Sequence, residues 1–435
     1  MLRAISRPLT RVVDHYLPDP YVLVVILTLI VMAAAILFQG TGLVEVIDMW
    51  GDGFWSLLAF SMQMLFVLVS GYMMASTPLV RGILSRLAGI AKGPQGAILL
   101  VSVVSVLASL LNWGFGLVVG ALFAKEIARQ IRVDYRLLIA AAYSGFMVWH
   151  GGLSGSISLS IATPDHPFAE AIGIIPTGET IFAFYNIAIV LALLVVIPLV
   201  NRAMLPPEGE AVIVDPDKLT EEKTADTRAE TPAEWLETSP FLSWIIGAGG
   251  VVWLVSHFAT GGGLSLNVVN FLFLTLAIIL HGSPRNLLTA LTEGIRGGAG
   301  IVIQFPFYAG IMGVMTASGL AASVSQGMVS LANEWTFPFW TFLSAGIVNF
   351  FVPSGGGQWA VQAPVVLPAA EAIGVDTARA AMAVAWGDAW TNMIQPFWAL
   401  PLLGIAGLRA RDIMGFCTVH LLIGGAVITI GLTFL

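Results

Sequence analysis

The chain has 435 residues and a formal charge of −7, with 10% of its residues charged and 57% apolar. A soluble domain carries about 25% charged residues, so this chain cannot cover a globular surface, which excludes a soluble enzyme, a secreted module and, for want of a basic face, a nucleic-acid binder. Its hydrophobicity excludes disorder, and the lone Cys417 excludes internal disulfides and thiolate metal clusters, leaving an all-α polytopic membrane protein.

Apolar runs of roughly 17–25 residues cross a bilayer. In chain order they are Tyr21–Leu37, Phe54–Ser76, Leu137–Ala162, Ile181–Val200, Leu242–Phe258, Leu266–Leu280, Ala299–Ala317, Ala378–Pro401 and Ile413–Leu435. The first follows a leader that contains Asp14 and Asp19, so it reads as an uncleaved span rather than a signal peptide. Two longer stretches break in the middle: Gly96–Ala128 at Asn112-Trp113-Gly114-Phe115-Gly116, and Phe337–Ala370 between Asn349 and Gly357. Each is expected to form a re-entrant hairpin of two short helices with a polar, glycine-rich tip.

Treating each hairpin as returning to its own side places Arg3, Arg7 and Arg11 with every other Lys and Arg of the chain except Arg379. Basic loops face the cytoplasm. The expected topology is therefore nine passes with the N-terminus cytoplasmic and the C-terminus outside. The segment Asn201–Pro240, with ten acidic and four basic residues, is a cytoplasmic linker. The expected divisions are 1–200, a first repeat; 201–240, the linker; 241–260, a connecting span; and 261–435, a second repeat.

The repeat is carried by short matches. Gly71-Tyr-Met-Met-Ala-Ser76 resembles Gly313-Val-Met-Thr-Ala-Ser318, and Val133-Asp134 resembles Val375-Asp376, both at an offset of 242. Gln63 meets Gln304 at 241, and Asn112 meets Asn349 at 237. The connecting span flips the second half, so the halves should be inverted repeats, each with one hairpin and one interrupted helix. That is the design of secondary transporters, with substrate bound where the halves meet.

Non-helical backbone inside a membrane is tolerated only where protein buries it or a cavity hydrates it. Four such places exist: the two tips and the interruptions His150–Ser156 and Asp388–Pro396. The 242 offset aligns His150 with Asn392. No Lys or Arg lies in a span core, so an anionic substrate must be held by hydroxyls, amides and helix N-termini. The candidate substrate site is Asn112, Trp113 and Gly114 at the first tip, Asn349, Ser354, Gly355, Gly356, Gly357, Gln358 and Trp359 at the second, and Ser154, Gly155, Ser156 and Asn392 at the interruptions. Trp113, Phe115, Phe351, Trp359 and Trp390 are candidates to wall the apolar part of a ligand. Asp388, an intramembrane carboxylate, is the ion-coupling candidate with Asn112 and Asn349. No cofactor is expected, and the coupling ion is Na⁺ or H⁺. His257, His281 and His420 read as structural.

Met49-Trp-Gly-Asp-Gly-Phe-Trp55, Asn112-Trp-Gly-Phe-Gly-Leu117, Val302-Ile-Gln-Phe-Pro-Phe-Tyr-Ala-Gly310, Val352-Pro-Ser-Gly-Gly-Gly357 and Gln395-Pro-Phe-Trp-Ala-Leu-Pro401 closely resemble the bacterial short-chain fatty acid transporter family, over essentially the whole chain. The resemblance implies uptake of monocarboxylates such as acetoacetate and butyrate across the bacterial inner membrane. It also implies, through the wider ion-transporter clan, paired hairpins, a homodimer and an elevator mechanism. The family often has His after the triple glycine, where this chain has Gln358, which argues against a proton carried there.

Two other classes compete. A channel for short carboxylates would lack saturation and ion coupling. A rhomboid-like intramembrane serine protease would use Gly152-Leu-Ser154-Gly155, but it needs a histidine base within reach of that serine, and His150 two residues away on one segment does not face it. An aspartyl protease pairing Asp52 with Asp388 fails because Asp52 falls in an outside loop.

Overall fold

The computed structural model describes residues 18–435 apart from 19, 208, 220–229, 351 and 396. Arg3, Arg7, Arg11, Asp14, Asp19, Phe351 and Pro396, named above, lie outside the described residues. The described residues are helical without a strand, and eight of the helices are long and apolar enough to cross a membrane. The protein is a multi-pass membrane protein.

The first half runs α1 (Pro20–Gln39), α2 (Leu43–Gly53), α3 (Leu58–Ala75), α4 (Pro78–Ala88), α5 (Gly93–Leu111), α6 (Trp113–Gln130), α7 (Tyr135–Ser144), a 3₁₀ segment (Gly145–Gly151), α8 (Ser156–Ile161), α9 (Ala169–Ile172) and α10 (Phe184–Ala203). Next come α11 (Pro232–Thr238) and α12 (Pro240–Ala259). The second half runs α13 (Leu266–His281), α14 (Pro284–Ala317), α15 (Leu320–Leu331), α16 (Phe337–Val348), α17 (Gly355–Ile373), α18 (Thr377–Thr391), α19 (Ala399–Ala406) and α20 (Ala410–Phe434).

The recurring sequence matches are helix punctuation. α3 and α14 both end at the alanine of the shared motif, Ala75 and Ala317, with Ser76 and Ser318 as C-caps. Asp134 and Asp376 are both N-caps: their Oδ1 atoms accept the N–H of Leu137 at 2.8 Å and of Arg379 at 2.9 Å. Such a cap satisfies a donor that the first turn cannot pair internally. α4 and α15 also begin at the 242 offset, at Pro78 and Leu320.

Several boundaries differ from expectation. The run expected from Ala299 belongs to the 34-residue α14, which starts at Pro284. Asn286, Glu293 and Arg296 on its first half do not interrupt the backbone ladder, because polar side chains leave helical hydrogen bonding intact. The run expected from Phe54 begins as helix only at Leu58, after a turn that follows α2. The first hairpin's arms are not short: α5 and α6 have 19 and 18 residues, about 27–28 Å at 1.5 Å per residue. Its tip nonetheless lies level with the middle of α3, where the Asn112 Nδ2–H donates to the Val67 carbonyl at 3.3 Å.

α1, α2, α3, α13 and α14 pack on one another, while the hairpins, the interrupted segments, α10 and α20 pack on one another. The groups meet where α3 touches α6 and α14 touches α17. The ends of α10 mark two faces. Near its C-terminal end, the described linker docks on α7: the Tyr135 N–H donates to the Val212 carbonyl at 2.8 Å, the Val212 N–H donates to Asp134 at 2.8 Å, and the Arg129 guanidinium meets the Leu219 carbonyl. At the other end, Arg379 lies over the Tyr185 ring, 5.1 Å from its centroid, and donates to the Leu432 carbonyl at 2.7 Å.

Candidate functional site

The tips and both interruptions converge on one buried centre. In the first half, α7 passes through the 3₁₀ segment into the turn before α8, because Gly145, Gly151 and Gly152 lie so close to α5, Trp386 and Leu110 that a side chain at any of them would collide. This compact turn carries Trp149 and His150 inward. In the second half, α18 stops at Thr391 and presents Asp388 to the turn. His150 Nε2 lies 3.2 Å from Asp388 Oδ2, and both side chains are fully buried. The pair is within ion-pair range without the alignment of a hydrogen bond, so both ring nitrogens and both carboxylate oxygens lack a hydrogen-bond partner in the protein.

The second tip closes over this pair. The Asn349 Nδ2–H group donates to the Asp388 carbonyl at 3.0 Å and to Thr391 Oγ1 at 2.9 Å, leaving Asn349 Oδ1 without a partner. Ser354 caps α17 with extended backbone but makes no side-chain cap bond, and the first N–H groups of any helix have no intrahelical acceptor. Gly355 lies directly on the His150 imidazole. An uncapped helix N-terminus, a favourable place for an anion, therefore lies beside His150 of the pair.

At the first tip the Asn112 amide and the turn N–H groups are paired, while the buried Trp113 Nε1 has no partner. The Phe115 N–H donates to Asn112 Oδ1 at 2.9 Å, and the Trp113 N–H donates to Ser154 Oγ at 2.8 Å. Asn112 thus commits both polar side-chain atoms within the fold, and Ser154 joins the first tip to the first interruption. Gly114 lies against the α3 backbone at Leu68, and Gly155 against the His150 carbonyl, so both serve close packing. Ser156 opens α8 and is buried.

Asn392 is anchored by the Tyr143 hydroxyl, which donates to its carbonyl at 2.8 Å, and by Trp149 Nε1–H, which donates to its Oδ1 at 3.1 Å; its Nδ2 has no partner. Across the two halves Trp149 meets Asn392, and His150 meets Asp388. Gln358 ties the arms of its own hairpin, donating to the Ala345 carbonyl and to Gln362 Oε1 at 2.8 and 2.7 Å. Gly356 lies under Phe60 and Met64 of α3, and Gly357 under the Tyr308 ring of α14, so a side chain at either would collide.

Of the aromatics, Trp113 lies 5.8 Å from Trp149 and 4.8 Å from Trp398 between ring centroids, beside the centre. Trp359 meets Phe168 at 5.8 Å. Phe115 packs on Phe273, and Trp390 turns away to donate to the Leu421 carbonyl. Ser154 Oγ is held by the Trp113 N–H while both His150 ring nitrogens lack a hydrogen bond, so the serine–histidine pair of a protease is not formed. His257, His281 and His420 bond the Gly263 carbonyl, the Met73 carbonyl and Asn201 Oδ1.

The sequence pattern of the short chain fatty acid transporter family matches residues 1–435. The chain belongs to the short chain fatty acid transporter family. A protein of Escherichia coli (strain K12) whose name carries the same designation is 45% identical over 440 residues, spanning 100% of both chains. A second, from Haemophilus influenzae (strain Rd), is 45% identical over 447 residues, again spanning 100% of both. The fold is similar to that of the YdaH transporter of Alcanivorax borkumensis, with a TM-score of 0.60 and 17% identity over 96% of this chain and 97% of that one. Neisseria gonorrhoeae MtrF, described as representing a class of antimetabolite efflux pumps, matches with a TM-score of 0.50 and 16% identity over 99% and 97%. The chain is thus a transporter family member and not an enzyme.

For this short chain fatty acid transporter, residue reasoning overlooked His150 as a site residue. The signal was present: an interrupted apolar segment bearing a histidine, and a second bearing the acid, are natural partners wherever no Lys or Arg can balance a buried carboxylate.

Proposed function

We propose that this protein moves short-chain monocarboxylates, acetoacetate and butyrate among them, across the bacterial inner membrane by ion-coupled alternating access. The observation that carries the proposal is the uncapped N-terminus of α17 packed on His150 of the buried His150–Asp388 pair. Ser354 and the N–H groups of Gly355 to Gly357 take the carboxylate. Trp113, Trp149 and Trp398 wall a short alkyl chain, and Asn349 and Asn392 supply the remaining polar contacts.

In this reading the halves 1–200 and 261–435 are inverted repeats joined by the linker and α12, and the hairpins are re-entrant. The group built around the hairpins slides as an elevator past the group built around α3 and α14, in a homodimer with cytoplasmic N-termini. The recurrence of helix ends at the 242 offset and the segregation of packing into two groups support it.

The test is binding of butyrate and acetoacetate to purified protein, followed by counterflow in proteoliposomes. Saturable binding and trans-stimulated exchange are the expected results. Saturation without exchange, or conductance without saturation, would replace the carrier with a channel.

A further inference from the structure

We infer that the coupling ion is a proton, carried by the His150–Asp388 pair and taken up together with each carboxylate; this rests on the carboxylate site proposed above. Four observations lead here. The two groups sit 3.2 Å apart, fully buried, one on each interrupted segment. Neither has another hydrogen-bond partner in the protein. The uncapped first turn of α17 lies on the imidazole through Gly355, so a carboxylate held there abuts His150. Among the described spans the one Lys or Arg near mid-helix is Arg296, exposed on α14, so no buried cation balances the charge of an arriving anion.

A monocarboxylate brings one negative charge into a region of low dielectric, and an uncompensated buried charge is costly. One proton from the same aqueous side, resting on the pair, cancels it. The bookkeeping closes: carboxylate and proton enter from one side, both leave on the other, and no bond to carbon forms or breaks. Loaded and empty sites then carry the same net charge. The proton belongs to the pair rather than to either residue, since groups this close titrate as a unit.

The surrounding groups leave the pair in charge of this role. α5, α8 and α16 contain no titratable side chain, and α6, α10, α17 and α20 carry their Asp, Glu, Lys and Arg toward their ends. Tyr143 on α7 and Tyr308 on α14 lie within electrostatic range of Asp388, with Cys417 on α20 beside Tyr143. All three are neutral near neutral pH. His420 on α20 is bonded to Asn201 at 2.7 Å.

The experiment is calorimetric titration of detergent-purified protein with butyrate, near neutral pH, in buffers of different ionisation enthalpy and with sodium replaced by choline. Working in detergent avoids passive leakage of the undissociated acid through lipid. The expected result is saturable binding without sodium, with uptake of about one proton per carboxylate. His150→Gln and Asp388→Asn should each reduce that proton number toward zero, a readout that general loss of packing would not move in protein that still binds. Binding with no proton uptake in the unaltered protein overturns this inference and leaves the carboxylate site standing, as does binding that requires sodium. Absence of any monocarboxylate binding removes the carboxylate site and this inference together.

Discussion

Ser154 Oγ accepts the backbone N–H of Trp113 across 2.8 Å, fastening the first interrupted segment to the tip of the first hairpin. Ser154→Ala leaves a buried N–H without its acceptor, which costs about 1–3 kcal/mol. We expect a lower melting temperature and weaker uptake, with butyrate affinity per folded molecule little changed. Loss of affinity with unchanged melting would place Ser154 in the substrate contact instead.

Ser354→Ala should show the opposite pattern. Its hydroxyl makes no cap bond, so removal should barely alter melting. Losing one hydrogen bond to a charged ligand costs about 1.5–3 kcal/mol, or roughly 10- to 150-fold in affinity. Titration with butyrate checks this, and parental affinity would exclude the α17 N-terminus as the carboxylate site.

Gly356→Ala places a methyl group 2.8–2.9 Å from two Phe60 ring atoms and 3.2 Å from Met64 Sδ. Overpacking of this kind costs about 1–3 kcal/mol. The variant should melt earlier, and pairing it with Phe60→Leu should recover part of the loss. If the second substitution restores nothing, the collision is not with α3.

Substrate preference follows from the charge inventory. Each further carboxylate on a ligand must be desolvated without a full counter-charge, at a penalty of several kcal/mol, roughly a thousandfold or more in affinity. Monoacids of two to six carbons should therefore displace labelled butyrate far better than succinate or citrate. Stronger displacement by succinate would contradict the site.

Orientation is tested with single cysteines, because the native Cys417 is buried. Ile213→Cys on the docked linker should label only from the cytoplasm, and Glu334→Cys, before α16, only from outside. Labelling of both from one side would remove the inverted arrangement.

Much of the architecture was legible because membrane helices announce their ends. Asp134 and Asp376 were visible as a recurring pair, and the structure makes each a cap. Asn112 was visible as a break because a polar amide between apolar runs needs a buried partner. The His150–Asp388 contact was harder to read. Its members are 238 positions apart, and the repeat offset pairs His150 with another residue. The triple glycine is ambiguous for a related reason: a glycine that lets a ligand approach and one that lets a phenylalanine ring approach look identical in sequence. Only the structure shows the Phe60 ring where a Gly356 side chain would stand.

The Trp149 indole lies nearly parallel to the His150 ring, 3.7 Å between centroids and 30° between planes. An imidazolium quenches an adjacent excited indole far more strongly than a neutral imidazole does. On the mechanism proposed above, the protein therefore contains its own optical reporter, stacked on the ring that would take the proton. Emission recorded during a stopped-flow mix with butyrate would time the arrival of the acid without any attached dye, and Trp149→Phe would identify the signal by abolishing it.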